Sequence, residues 1–574
     1  MKSFMRITVG GLTLAGLGMF FSPAWAVERD WDRYLQNSVG KFSGQQSVLT
    51  LSSKTLEPSR ASRELTPLLN LAKQNWDSLS ADTQALVQPW LLRPTDNSVS
   101  FENDWRYKTG DTVLQHDTTH FRVHYVESST ENYRATTAYA AQVGVVLEEV
   151  YAKQHGELTY KAVPSDGSLG GDGRFDVYLT ELRSHGLYGY VVAEGTAGST
   201  GPYAAYSYMV LDNNYLGYGY DHDPSLALKV TAAHEYFHAV QNGYSHQEDP
   251  AFMEQSATWM EDIVYPTIHD NYAYIGEPYE DTNGDGQYTD DLNGDGITND
   301  REPVAVDHNG NNRRDDGSQD WPELSLDAFD DVPVIQYGRF LWVRYLGERF
   351  GVDVVKDIWA YTATNNVNTL TTIDTVLRER ESSLQLAYQE YATWAYDLAK
   401  FSDGANYPLV WVDRTVSGIN LDISDSDSPS LGNLRTQYTP HLHLSTIYTH
   451  IDDPVGLYKF KVSNGSAALT MLVDTGSGTL THESVTLEAG VGYWQASQGT
   501  LRAIAVISNV HASKNGMTWR LNATDRIDPP EEKKDDDIIP GLALFADPMQ
   551  VPGAVFLLGL VFLLAYRRAI PARR

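Results

Sequence analysis

The chain has 574 residues, 42% of them hydrophobic, which is enough for several cores and excludes disorder throughout. Asp and Glu number 75 against 43 Lys and Arg, a formal net charge of −32, and such a field repels phosphate backbones, so no nucleic-acid partner is expected. Cysteine is absent, which removes disulfides, thiol nucleophiles and thiolate zinc sites; any metal has to sit on His, Asp or Glu.

Residues 1–26 read as a secretory signal peptide, with Lys2 and Arg6 ahead of an apolar stretch and Ala24-Trp25-Ala26 as the cleavage site. Residues 27–100 form an N-terminal helical segment, either a pro-segment or the first layer of the next domain. Its clearest stretch is 64–92, where Leu65, Leu68, Leu69, Leu71, Trp76 and Leu79 fall near helical spacing. Over 101–402 the pattern is α+β. A strand at FRVHYV is followed by a helix over 131–153, then strands at FDVYLTEL, LYGYVVAE and AYSYMVLD, and then mostly helices. Residues 403–525 alternate or run apolar between Gly, Asn, Asp and Ser clusters, as in LYKFKV and LTMLV, and predict an all-β sandwich domain. The Pro and charge run of 526–550 reads as a linker.

Residues 551–574 join an apolar stretch to Arg567, Arg568, Arg573 and Arg574. The 551–566 run covers only about 24 Å as a helix against a hydrocarbon core of roughly 30 Å, so it is a marginal membrane span or a processed tail. This layout resembles the PEP-CTERM sorting signals of Gram-negative bacteria, with Gly553 where that signal carries Glu. The resemblance implies an exported protein, extracellular or tethered to the cell envelope, whose C-terminal segment enters a membrane or is read by a sorting enzyme.

The chemistry concentrates in VTAAHEYFHAVQNGY (230–244), a helix pattern ending near Gly243 that contains HExxH. His234 and His238 are one turn apart, so both imidazoles reach one divalent ion, and Glu235 lies beside them to take a proton from metal-polarised water. With 16 His in the chain, the pattern arises by chance in only about 0.02 such chains. The third ligand has two candidates. His246 follows Gly243, each displaced by two residues from the metzincin offsets. Glu254, in AFMEQSATWMEDIVY, is the better one, because Glu261 lies two helical turns further on the same face and can hold a ligating His as an outer carboxylate.

HEYFH followed by FMEQSATWME resembles the gluzincin zinc peptidases, and the spacing from Glu254 to Glu261 is similar to the M1 pattern of a ligating Glu and a second acidic residue. The wider 121–401 stretch resembles exported bacterial metallopeptidases of the M6 and M30 types. The resemblance implies an α+β zincin-like metallopeptidase domain, Zn²⁺ on His234, His238 and Glu254, and a protein or peptide substrate. YGRFLWVRYLGERFG resembles the M1 segment whose Tyr steadies the oxyanion, which implies that role for Tyr337, with His269 and Tyr272 as alternatives. GxMEN is missing from the sequence, which favours an endopeptidase. The template for the bound peptide is LYGYVVAE or AYSYMVLD.

An acidic insertion, 280–320, holds 12 acidic and 3 basic residues. Asp291, Asn293, Asp295, Asn299 and Glu302 match the side-chain positions of a twelve-residue Ca²⁺ loop, with Ile297 offering its carbonyl, so structural Ca²⁺ is expected there. Two functions follow. One is an exported zinc-dependent endopeptidase with Glu235 as general base; the other is a catalytically inactive, calcium-stabilised surface adhesin or structural protein.

Overall fold

The computed structural model describes residues 30–42, 65–98, 105–218, 220, 223–275, 289–290, 300–301, 322–329, 335–404, 407, 433–463 and 466–524. The expected signal peptide, linker and C-terminal segment lie outside them. Among the described residues no helix is long and apolar enough to cross a membrane.

Helices combine with one mixed and several antiparallel sheets in an α+β architecture. The first sheet contains β1 (Leu114–Asp117), β2 (Phe121–Tyr125), β3 (Phe175–Thr180), β4 (Gly189–Thr196) and β5 (Ala205–Asp212), in the order β1-β2-β3-β5-β4. β2, β3 and β5 are parallel, while β1 and β4 run antiparallel at the two edges. Successive side chains leave a strand on opposite faces, and here both faces are buried. Val177, Leu179, Val191, Met209 and Leu211 face a core built with α4 (Thr137–Tyr151) and α5 (Ser225–Tyr244). Their neighbours Tyr178, Tyr190, Val192, Tyr208 and Val210 face the N-terminal segment.

That segment is a layer on the sheet. It comprises α1 (Trp31–Gly40), α2 (Thr66–Gln74) and α3 (Ala81–Val87), and its Leu35, Leu65, Leu68, Leu69 and Trp90, with Trp105 just beyond it, complete the second core. The 64–92 stretch is broken into short helices because Ser80 caps a new one, its side chain accepting from Thr83 N–H. Arg93 anchors the layer: its guanidinium pairs with Asp166 at 2.6 Å, Asp176 at 2.5 Å and Glu194 at 2.5 Å. Burial, with Asp176 adding to it, pushes Asp166 up to about 6 despite the arginine.

After α5 the chain turns at once into α6 (Pro250–Val264), which starts cleanly because Asp249 accepts from the N–H groups of Ala251 and Phe252 and Pro250 opens the first turn. The short connection returns α6 against α5. Among the described residues the insertion contributes the antiparallel pair β6 (Thr289–Asp290) and β7 (Asp300–Arg301); Asp291, Asn293, Asp295, Ile297, Asn299 and Glu302 lie outside the described residues. Then come α7 (Ile335–Gly338), α8 (Phe340–Phe350), α9 (Asp353–Thr362), α10 (Thr369–Arg378) and α11 (Leu384–Tyr396).

The C-terminal part is built from β8 (Asn433–His441), β9 (Ser445–Asp452), β10 (Leu457–Ser463), β11 (Ala467–Asp474), β12 (Leu480–Ser484), β13 (Val491–Gln495), β14 (Arg502–Asn509) and β15 (Met517–Thr524). They form two four-stranded antiparallel sheets, β13-β10-β15-β8 and β12-β11-β14-β9, which share one core. The second sheet is covered on its other face too, where Tyr448, Leu472, Ile504 and Val506 join the main core with residues of α11 such as Tyr388 and Tyr391.

Candidate metal centre

Helix α5 is buried on every side, and its interior positions include His234, Glu235, His238, Gln241 and Asn242. Polar groups in such a place need partners, and the neighbouring elements supply them. One turn into α6, Glu254 faces the two histidines. His234 Nε2 lies 3.1 Å from His238 Nε2 and 3.2 Å from Glu254 Oε2, and His238 Nε2 lies 3.4 Å from Glu254 Oε1.

The other ring nitrogens fix the tautomers. His234 Nδ1 is 2.6 Å from Glu261 Oε1, a carboxylate that accepts. His238 Nδ1 is 2.7 Å from Gln241 Oε1, and that amide's orientation is set because its Nε2 donates to Met253 O and Ser256 Oγ. Both rings therefore carry their proton on Nδ1 when neutral and turn Nε2 lone pairs inward. Two lone pairs and a buried carboxylate converge, an arrangement that repels itself until a cation binds.

The donor set bears on which cation the group could hold. With metal–ligand bonds of about 2.0–2.1 Å, the ligand atoms of a tetrahedral site stand about 3.3–3.4 Å apart. The two Nε2 atoms, 3.1 Å apart, come near that edge, while the carboxylate offers each ring a different oxygen, Oε2 to His234 at 3.2 Å and Oε1 to His238 at 3.4 Å. Two imidazoles and one carboxylate are also a borderline-soft donor set that suits zinc and disfavours Ca²⁺ and Mg²⁺. His234, His238 and Glu254 are the one group of three or more ligating side chains found among the described residues.

Glu235 leaves α5 on the side of the edge strand. Its carboxylate lies beneath β4, so close that a Cβ on Gly189 would fall 2.8 Å from Glu235 Cγ; only glycine lets strand and carboxylate approach. Thr66 Oγ1 donates to Glu235 Oε2 at 3.3 Å. Tyr337, on α7, places its ring centroid 6.5 Å from that of His234 and packs on Tyr274 at 5.2 Å.

The structure thus brings His234, His238, Glu254 and Glu261 together, with Glu235 and Tyr337 adjacent. It does not bring in His246, whose Nδ1 lies 2.6 Å from Tyr203 O. Nor does it bring in Tyr272, which donates to Asp403 at 2.9 Å, or His269, which stacks on Tyr272. AYSYMVLD is unsuitable as a peptide template, because β5 is paired on both edges, with β3 and β4. Gln241, Gly189 and Thr66 were not singled out from sequence. Gln241 was within reach, three residues after His238 and on the same helical face; the other two carried no local signal.

No protein-family model matches the chain, and a comparison with characterised proteins found no match either.

Proposed function

We propose that this chain is an exported zinc-dependent endopeptidase with a zincin-like domain of the gluzincin type, using Glu235 as general base. The observation that carries the reading is the convergence of His234 Nε2, His238 Nε2 and Glu254 within 4.8 Å of one another, beside a carboxylate tucked under an edge strand. His234, His238 and Glu254 would hold the ion, which supplies a Lewis acid for polarising water and a substrate carbonyl.

The remaining roles belong to the chain itself. Glu261 and Gln241 keep the imidazoles in one tautomer and orientation, and Glu235 takes the proton from water and passes it to the leaving amine. Edge strand β4 offers its outer backbone groups to an extended peptide, which gains affinity from main-chain hydrogen bonds without demanding particular side chains. Tyr337, next to His234, is assigned as donor to the developing oxyanion. Export rests on the pattern of 1–26, tethering on that of 551–574, and Ca²⁺ at 291–302 on the loop spacing alone.

A second reading is an inactive structural or adhesive protein. Its support is the burial of the site: Glu235, His238 and Glu254 are each 0% exposed, and closed metal sites are the structural ones. Zinc content and casein cleavage separate the two. One zinc per chain, with cleavage lost at least about 100-fold in Glu235→Gln while zinc is retained, supports the peptidase. Zinc without Glu235-dependent cleavage, in the wild-type background and in Thr66→Gly/Lys73→Ala, favours the structural protein.

A further inference from the structure

Helix α2 has an unusual polar stripe. Thr66, Asn70, Lys73 and Gln74 fall at i, i+4, i+7 and i+8, one face of the helix, and that face points at the candidate site instead of at water. Thr66 Oγ1 donates to Glu235 Oε2 at 3.3 Å and accepts from Val191 N–H at 2.8 Å. Asn70 Nδ2 donates to Asn242 Oδ1 of α5 at 3.2 Å, and Gln74 Nε2 to His246 O at 3.2 Å. Lys73 Nζ donates to the carbonyls of Ala193 and, at 2.9 Å, Glu194.

Two of these contacts fall on the outer edge of β4. Val191 and Ala193 turn their backbone groups away from β5, as the period of two along a strand requires, so they are the groups a pairing peptide would use. The helix's apolar stripe, Leu68, Leu69 and Ala72, meanwhile packs in the core on the far face of the sheet. Burial dominates at the polar end: Thr66 is 0% exposed and Asn70 2%.

We propose that α2 is a resident inhibitor: Thr66 and Lys73 occupy the peptide-pairing edge of β4 and Thr66 ties up Glu235, so an extended peptide gains the site only when this helix moves off it. This rests on the peptidase reading and adds its regulation. It also explains how a catalytic centre can be fully enclosed.

The test uses the full-length chain loaded with Co²⁺, whose visible spectrum reports both ion uptake and ligand exchange at the metal. A dipeptidyl hydroxamate is titrated against wild type, against Thr66→Gly/Lys73→Ala, and against Asn70→Cys/Asn242→Cys before and after its two thiols are bridged by a short bifunctional alkylating reagent, each thiolate displacing one halide. The absence of native cysteine makes that bridge the only one. Expected are hydroxamate binding at least about tenfold tighter in Thr66→Gly/Lys73→Ala than in wild type, and at least about tenfold weaker after bridging than before it in the same protein. Affinities equal within twofold across all forms overturn the inhibitor. Failure of wild type to take up Co²⁺ overturns the metal centre itself, and the inhibitor with it. The crosslinked pair keeps the outcome readable if the other variant folds poorly.

Discussion

Glu254→Gln separates a metal centre from an ordinary buried polar cluster, because the two predict opposite signs. In the metal-free protein the Glu254 carboxylate faces two Nε2 lone pairs at 3.2 and 3.4 Å, so its charge is a liability; glutamine keeps the volume and its amide donates to one of those nitrogens. The chelator-stripped variant is therefore expected to melt at or above the temperature of stripped wild type. Zinc reverses the order. At a free concentration one hundred times Kd, a ligand bound only by the folded state adds about 2.7 kcal/mol. For roughly 400 folded residues, unfolding entropy near 0.8 kcal/mol/K converts this into a rise of about 3 °C. Wild type should show that rise and Glu254→Gln little or none, measured by calorimetry with and without Zn²⁺. If the stripped variant melts several degrees below stripped wild type, and wild type is indifferent to zinc, Glu254 is accepting from a protonated histidine and the reasoning is wrong.

Removing the groups that orient the imidazoles, by Glu261→Gln or Gln241→Leu, should weaken zinc binding about 10- to 100-fold in competition with a chromophoric chelator; affinities within twofold of wild type would remove both from the centre. Arg93→Met leaves Asp166, Asp176 and Glu194 without their cation, at an expected cost of about 3–5 kcal/mol. Chemical denaturation should show that deficit shrinking as the pH falls and the carboxylates take up protons; a deficit independent of pH contradicts the anchoring role. Burial, reinforced by Asp327, pushes Asp249 up to about 8. Because that value lies above its unfolded one, the folded state binds more protons between roughly pH 4 and 8, and stability present below that window declines as pH rises through it. Asp249→Asn retains the helix cap without titrating, so its melting temperature should gain on wild type from pH 5 to pH 8; a constant difference across that range refutes the assignment.

Much of the fold was legible because local periodicity mirrors burial. LYKFKV alternates because β10 buries only Tyr458, Phe460 and Val462, whereas LTMLV runs apolar because β11 is covered on both faces, Met471 by the facing sheet and Leu472 by the main core. The helix expected over 131–153 begins only at Thr137, because the Thr136 side chain accepts from Tyr139 N–H and caps it there. β1, four residues of half-exposed polar sequence, gave no pattern to read.

For the site, helical spacing alone pairs the imidazoles, since residues four apart on a helix share a face whatever surrounds them. It also placed Glu254 and Glu261 on one face of the next helix. That this face, and not His246, meets the histidines depends on how the turn between α5 and α6 folds the second helix back, which no local spacing carries. Tertiary packing likewise made β4 an edge, brought Gly189 over Glu235 and laid α2 across both. Thr66 lies 169 residues from Glu235 along the chain. A contact of that span is set by which faces the sheet buries, and no local spacing encodes it.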